Sequence, residues 1–304
     1  MILSVAGGLG NQCFSLAALI HWAYVHGYGM APLAIEQSPS IFQARNVYWK
    51  TLFHQIPTVT KTAFAAGELM VHQDWDPTQG FKPIVCPRNQ SLELKGYFQH
   101  LRHFWKYRRI VLGLLRAPGL DKQAKSFLDC KSINPKTTAF MHFRRGDYKR
   151  LPHVFPILPL EYYKIAMIHY ARDVKFLVLC ETEDKDALRK EVQTNMNQQE
   201  QDRLLWFPDL NTQSEETQLM MMKSCERGGI VANSTFSVWG AYLQQTEHPC
   251  GPFVYSESYF THAPTTPPQI FDPTWIRLPT QLQSYSRLAH SRMDKQFETW
   301  ATKS

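Results

Sequence analysis

Hydrophobic positions along the chain fall into short apolar runs that alternate with stretches of helical period. Ile2-Leu3-Ser4-Val5 reads as a strand, Gly7-Gly8-Leu9-Gly10-Asn11-Gln12 as a turn, and the apolar pattern after it as a helix to about His26, closed by Gly27 and Gly29. A second short strand is predicted over Ala31–Ile35, which makes the opening half of a βαβ unit. Residues 36–95 carry scattered prolines and few clean periods, and they predict mixed helix and loop. The rhythm resumes with a strand at Thr137–Phe143, a helix at about Leu160–Tyr170 and a strand at Lys175–Leu179. A helix over 184–194, a strand at Leu204–Phe207, a helix over 215–224, a strand at Gly229–Ala232 and a helix near Phe236–Gln244 follow. Strands alternating with helices predict parallel sheets covered on both faces.

The two rhythms are separated by the amphipathic stretch Leu120–Lys136, which ends in Asn134-Pro135. The expected domains are therefore 1–130 and 131–280. After Gly251 the prolines Pro264, Pro267, Pro268, Pro273 and Pro279 indicate an extended surface segment. Residues 281–304 read as a helix that packs back on the first domain. A chain of 304 residues exceeds what one hydrophobic core usually organises, in keeping with two units.

Composition narrows the class. With 44% hydrophobic and 19% charged residues the chain is neither disordered nor fibrous. Lys and Arg number 33 against 26 Asp and Glu, a formal charge of +7 that favours an anionic partner such as phosphate, nucleic acid or acidic lipid. A membrane span needs roughly 18 consecutive apolar residues, and Phe14–Val25 is shorter and interrupted by His21. The chain opens on a strand, with no basic region or small-residue cleavage site, so a cytoplasmic protein is expected. Cys13, Cys86, Cys130, Cys180, Cys225 and Cys250 form no CxxC pair, which points to buried thiols rather than zinc or disulfides. The sequons at Asn89 and Asn233 carry no expectation of glycosylation without an export signal.

Candidate chemistry gathers at strand ends. Ala139-Phe140-Met141-His142-Phe143-Arg144-Arg145-Gly146-Asp147-Tyr148 is an apolar strand running into charges at its carboxyl end, where open parallel sheets bind ligands. Side-chain alternation puts His142 and Arg144 on one face, Phe143 and Arg145 on the other. Arginine forks suit a diphosphate, although an ion pair with Asp147 satisfies the same pattern. In the first turn, Gly8 and Gly10 leave bare amides at a helix start, ready for an anion or a sugar hydroxyl. Its register is not GxGxxG, so a dinucleotide fold is not expected. Asn233, Ser234 and Thr235 repeat the layout before another helix, open to capping or to phosphate binding. Asp74-Trp75-Asp76 has the DxD spacing of a divalent-ion site, but its surroundings read as loop and no metal is expected. The basic, aromatic run Arg102–Arg109 reads as a helix with its aromatics inward rather than a nucleic-acid surface.

Gly7-Gly8-Leu9-Gly10-Asn11-Gln12, Gly96-Tyr97-Phe98-Gln99, His142-Phe143-Arg144-Arg145-Gly146-Asp147-Tyr148 and Ala232-Asn233-Ser234-Thr235-Phe236-Ser237 with Trp239-Gly240 together resemble the α-1,2-fucosyltransferases of glycosyltransferase family 11. Order and spacing match from about residue 1 to 245. The resemblance implies a GT-B type α/β fold, two Rossmann-like domains facing a central cleft, with the acceptor on the first and GDP-fucose on the second. It implies inverting transfer of L-fucose from GDP-β-L-fucose to a sugar hydroxyl of a glycan, without metal or cofactor. Arg144 matches the arginine on the β-phosphate, His142 the nucleoside contact, and Ser234 and Thr235 the diphosphate hydroxyls. Gly8, Gly10, Glu216, Asn233 and Phe236 complete the expected donor site. Arg144 and Arg145 are expected to stabilise the leaving group, Asp147 and His153 are candidate bases, and Asn11 is placed to orient the acceptor. The family's Ser-Asp-Asp stands here as Thr182-Glu183-Asp184, and its later acid as Glu216 or Gln218. These departures leave another nucleotide sugar, or a non-catalytic glycan- or nucleotide-binding derivative, as alternatives.

Overall fold

The computed structural model describes residues 1–29, 33–37, 46, 48–59, 69–76, 79–87, 90–207, 209–249, 251–261 and 269–279. The helix expected over 281–304, the sequon at Asn89, Cys250 and Pro264, Pro267 and Pro268 lie outside the described residues. In chain order the elements are β1 (Ile2–Val5), α1 (Leu9–Val25), β2 (Leu33–Gln37), β3 (Thr58–Val59), β4 (Leu69–Asp74) and β5 (Ser91–Gly96). Next come α2 (Arg108–Leu114), α3 (Pro118–Cys130), β6 (Thr138–His142), α4 (Leu160–Met167), β7 (Lys175–Leu179), α5 (Lys185–Asn195) and α6 (Gln198–Gln201). The last are β8 (Leu204–Leu205), α7 (Glu215–Ser224), β9 (Gly229–Val231), α8 (Thr235–Glu247), β10 (Phe253–Ser256) and β11 (Ile276–Leu278).

The strands form two sheets, ordered β3-β2-β1-β5-β4 and β11-β10-β9-β6-β7-β8, and every pairing is parallel. Parallel sheets are covered on both faces, which explains why all five residues of β6 are buried. Alternation along β6 sends Phe140 into one apolar cluster and Ala139, Met141 and Phe143 into the other. Helix α1 is apolar nearly all round, and thirteen of its residues are buried between the first sheet and α8. Gly27, at φ 77°, ends it in the left-handed region that a glycine tolerates. The two sheets share one continuous core: Trp239 of α8 stacks on Phe104 at 5.4 Å and meets Phe14 of α1 edge-on at 5.1 Å.

Three expectations are corrected. Residues 36–95 hold three strands besides the end of β2, because β4 and β5 pair over six residues despite the surrounding prolines. The segment after Gly251 is not merely surface: β10 and β11 join the second sheet, and Ile270, Phe271 and Trp275 are buried. Arg102–Arg109 forms two 3-10 turns leading into α2 rather than one helix, with Arg108 over the Trp105 ring at 4.4 Å. The stretch 120–136 opens inside α3, which is tied to α7 by Lys223–Asp121 at 2.8 Å and Thr217–Gln123 at 3.1 Å.

Candidate active site

In each sheet the strand order reverses once beside the strand that opens it: β1 lies between β2 and β5, and β6 between β7 and β9. Ligands of open α/β sheets bind outside the carboxyl ends at such switch points. The turn Gly7–Gly10 follows β1, Tyr97–Gln99 follows β5, His142–Asp147 closes β6, and Asn233–Thr235 follows β9. All four sequence motifs therefore stand at the two switch points.

Asn11 draws three of them together. Its Oδ1 accepts from Gln99 Nε2 at 2.9 Å and from Thr235 Oγ1 at 2.9 Å. Gly10 permits the approach: a Cβ there would lie 2.4 Å from the Thr235 carbonyl carbon and 2.6 Å from Phe236 N. The start of α1 thus abuts the start of α8. Neither Gly8 nor Ser234, the respective N-cap residues, makes a side-chain capping bond, and neither first turn holds an acidic residue. Two helix N-termini with positive dipole ends, neither closed by a side-chain cap, face one region, which favours an anion there.

Arg144 lies beside the start of α8. Its guanidinium is 5.1 Å from the Tyr148 ring, and Tyr148 donates its hydroxyl to the Asn233 carbonyl at 2.8 Å. It pairs with Asp147 at 2.5 Å and with Glu181 at 2.7 Å. Burial alone would weaken the Arg144 cation, but Glu181, Tyr148 and Asp147 more than offset it and raise its pKa. Burial pushes the Glu181 carboxyl up, and Arg144 only partly opposes that. Arg145 points elsewhere, bonding Glu191 of α5 at 2.7 Å, while Phe143 on the same face stacks on Tyr163 at 3.8 Å. The alternation expected from sequence is what separates the two arginines.

The acids that hold this turn lie only partly within the sequence motifs. Asp184 is fully buried, accepts from Gly146 N at 2.7 Å and pairs with Lys149, while Glu181 Oε2 accepts from Arg145 N at 3.2 Å. Glu181, Glu191 and Glu215 stand outside the sequence motifs, and the position of Glu181 just past the carboxyl end of β7 is the signal that marks it. Glu216, on the first turn of α7, lines a cavity of about 380 Å³ with Asn46, Tyr48, Trp49, Lys50 and Thr51. Thr51 donates to Glu216 at 2.7 Å and Tyr48 to Glu215 at 2.8 Å.

Other expected residues take different places. Asn233 is buried, and its Nδ2 donates to the carbonyls of Pro156 at 2.9 Å and Tyr259 at 3.3 Å, a structural tie that also leaves its sequon inaccessible. His142 is buried against Phe236 with centroids 5.6 Å apart, its Nδ1 is without a partner, and burial followed by the Arg144 charge lowers its pKa to about 3. His153 is exposed on the turn 151–155. Asp74 closes β4 instead of lying in a loop, and its carboxylate faces His103 Nε2 at 3.3 Å, both buried. Asp76 accepts from Gln79 at 2.9 Å, so the two DxD carboxylates have separate partners. Cys13, Cys86, Cys180 and Cys225 are buried, whereas Cys130 is exposed. Among the described residues no helix is long and apolar enough to cross a membrane.

Solved structures share this architecture. A glycosyl transferase family 9 protein from Veillonella parvula aligns with a TM-score of 0.52 and 11% identity, over 92% of this chain and 86% of that one. NodZ α-1,6-fucosyltransferase soaked with GDP-fucose aligns at 0.50 and 11%, over 86% of this chain and 96% of that one. These likenesses establish the GT-B type α/β fold alone. In sequence, an α-1,2-colitosyltransferase of Escherichia coli is 29% identical over 271 residues, 80% of this chain and 87% of that protein. The O-antigen biosynthesis glycosyltransferase WbnK of Escherichia coli is 32% identical over 123 residues, 39% of this chain but only 37% of WbnK. The family model of glycosyl transferase family 11 matches residues 5–278, which takes in every motif of the two switch points, and the chain belongs to that family.

Proposed function

We propose that this glycosyltransferase moves L-fucose from GDP-β-L-fucose to a sugar hydroxyl of a glycan, with inversion and without a metal ion. The observation that carries the reading is the meeting of two uncapped helix N-termini beside Arg144. A diphosphate placed there receives backbone N–H groups and the planar fork of one arginine. The Ser234 and Thr235 hydroxyls border the same point, and Glu216 lies at the neighbouring cavity, suited to a nucleoside hydroxyl. As the acceptor hydroxyl attacks C1 in line, charge grows on the GDP leaving group and the fixed donors stabilise it. Arg144, which lies by Tyr148 and the Asn233 carbonyl, takes this role rather than Arg145, which turns away toward Glu191 of α5. Asp147, the carboxylate closest to Arg144 in the turn, accepts the acceptor proton. Asn11 aligns the acceptor from the α1 side.

A second reading keeps the scaffold and changes the sugar to colitose, favoured by the relative named as an α-1,2-colitosyltransferase. Calorimetric titration with GDP, UDP, CDP and dTDP, each with excess EDTA and with Mg²⁺, tests the nucleotide and the metal together. Tight GDP binding that survives chelation is expected, and preference for another nucleotide, or loss of turnover on chelation with rescue by Mg²⁺, overturns the proposal. Transfer from GDP-fucose against GDP-colitose then separates the two sugars, and the anomeric coupling of the product reads the stereochemistry.

A further inference from the structure

Two aromatic rings form a corner on the carboxyl edge of the first sheet, and the donor chemistry uses neither. Trp75 directly follows β4 and Tyr97 directly follows β5, and the register that sets Asp74 opposite Gly96 brings them side by side. Their centroids are 5.3 Å apart and their planes cross at 86°. Trp75 is 40% exposed, whereas Trp22, Trp239 and Trp275 are at 5% or below. Tyr97 leans on the glycine turn: a Cβ on Gly7 would lie 3.1 Å from Tyr97 Cε1 and 2.6 Å from Asn11 Nδ2. The corner therefore borders the turn that opens α1, at the same switch point as Asn11.

The backbone is bent to hold Tyr97 there. Gly96 has φ 141° and Phe98, with a full side chain, has φ 49°. Such conformations persist where the surroundings over-determine them. Here the Asp74 carbonyl accepts from Tyr97 N at 2.6 Å and from Phe98 N at 3.5 Å, and the Asp74 carboxylate faces His103 at 3.3 Å. Gln99, next in line, donates to Asn11. The bend thus fixes the aromatic corner relative to the Asn11–Thr235 junction.

We infer that Trp75 and Tyr97 form the acceptor subsite, in which a pyranose ring of the acceptor lies with a C–H face on the Trp75 indole and an edge against Tyr97. The inference rests on the transferase reading above. Polarised C–H groups of a pyranose meet the negative face of an aromatic ring, and the ring's apolar area is covered while the equatorial hydroxyls stay free to bond at the rim. A diphosphate has no use for an exposed indole, whereas the C–H face of a neutral sugar is matched by one. The corner also stands on the α1 side of the junction, opposite the arginine turn.

The test is glycan-array binding by the parent, Trp75→Ala, Trp75→Phe and Tyr28→Ala proteins, each with and without saturating GDP. Tyr28 is 44% exposed just beyond the far end of α1 and serves as the exposed-aromatic control. The parent is expected to bind pyranose glycans, Trp75→Ala at least tenfold more weakly, and Trp75→Phe and Tyr28→Ala within about threefold of the parent. Melting temperature and GDP affinity should be unchanged in all four. Absence of parent signal, equal binding by Trp75→Ala, or equal losses in Tyr28→Ala overturns the subsite. Failure of the parent to bind GDP would instead defeat the donor reading, and the arrays without nucleotide still decide the subsite.

Discussion

Thr235 Oγ1 donates to Asn11 Oδ1 at 2.9 Å, so the first residue of α8 is fastened to the first turn of α1 across the gap between the two sheets. The bond joins residues 224 positions apart in sequence. With Gln99 on the same acceptor oxygen, it sets the relative position of the turns after β1 and β5 and the start of α8. The angle of attack in the proposed transfer depends on that position, because in-line displacement tolerates little misplacement.

Gly10→Ala tests this junction. Replacing a helical glycine by alanine ordinarily gains about 1 kcal/mol from backbone propensity. Here the new Cβ would lie 2.4 Å from the Thr235 carbonyl carbon, backbone that can yield only by moving α8. Overpacking of this kind costs about 1–3 kcal/mol, so the net change should be destabilising or near neutral rather than favourable. GDP affinity should fall at least tenfold, about 1.4 kcal/mol. Urea unfolding and titration calorimetry read both, and a stabilised variant with unchanged GDP affinity would refute the close approach.

Asp184→Ala examines the acids beneath the arginine turn. Asp184 is fully buried and accepts from Gly146 N, so its removal leaves that N–H without a partner at a cost of about 1–3 kcal/mol. Lys149 is half-exposed and passes to water, which limits the loss. Because Gly146 anchors the turn that carries Arg144, kcat should drop more than donor KM rises. Asp184→Asn retains an acceptor oxygen and should recover part of the stability. Stability and kcat both unaffected by the alanine would show that the turn holds itself.

For Arg144→Lys the charge survives and the fork does not. The ammonium cannot bridge two oxygens as a guanidinium does, so the loss should fall on kcat, about 2–4 kcal/mol by comparison with other preorganised donors. Steady-state kinetics at saturating donor read it directly. A lysine enzyme with near-normal kcat would assign Arg144 to holding Asp147 and Glu181 alone.

How far the sequence reveals this site depends on whether a signal is local. The strand alternation that separates Arg144 from Arg145 needs only period two, and α7 and β7 were legible to the residue because their apolar pattern is bounded by polar neighbours. Three other strands are not: β4 alternates but sits among prolines, and β10 and β11 are runs too short to show a period. Three hydrogen-bonding residues after β9 read alike, yet Asn233 turns inward to Pro156 and Tyr259, a contact only tertiary structure creates. Glu181 was overlooked for the same reason, since its partner Arg144 lies on the neighbouring strand's end.

Acid stability should carry the signature of His142. Burial first and Arg144 second lower its pKa from 6.5 to about 3. Between those values the unfolded chain binds more protons than the folded one, so stability is full above pH 6.5 and falls as pH drops through the window. Each pH unit there costs at most about 1.4 kcal/mol per group. His100, lowered to about 4 by burial and by its neighbours His103 and Arg102, acts in the same direction. His142→Gln should therefore flatten, without abolishing, the decline of urea midpoints between pH 7 and pH 4.5. Parallel curves would mean that His142 titrates alike folded and unfolded.

Ser234 and Thr235 stand side by side and should respond differently. Ser234 occupies the N-cap of α8 but makes no side-chain capping bond, so Ser234→Ala forfeits none of the roughly 1 kcal/mol that a capping serine contributes. Thr235 does have a partner, and Thr235→Val leaves Asn11 with Gln99 alone on its Oδ1, a loss of about 0.5–1.5 kcal/mol in stability. If both hydroxyls reach the diphosphate, each substitution lowers GDP affinity, by about 1–3 kcal/mol for a hydrogen bond to a charged group. Guanosine has no phosphate and should bind parent and variants equally. The expected pattern for Ser234→Ala is an unchanged melting temperature with weaker GDP and unaltered guanosine binding. Calorimetric titration of both ligands decides it: a lowered melting temperature with parental GDP affinity would return Ser234 to the helix and leave the phosphate to the backbone amides.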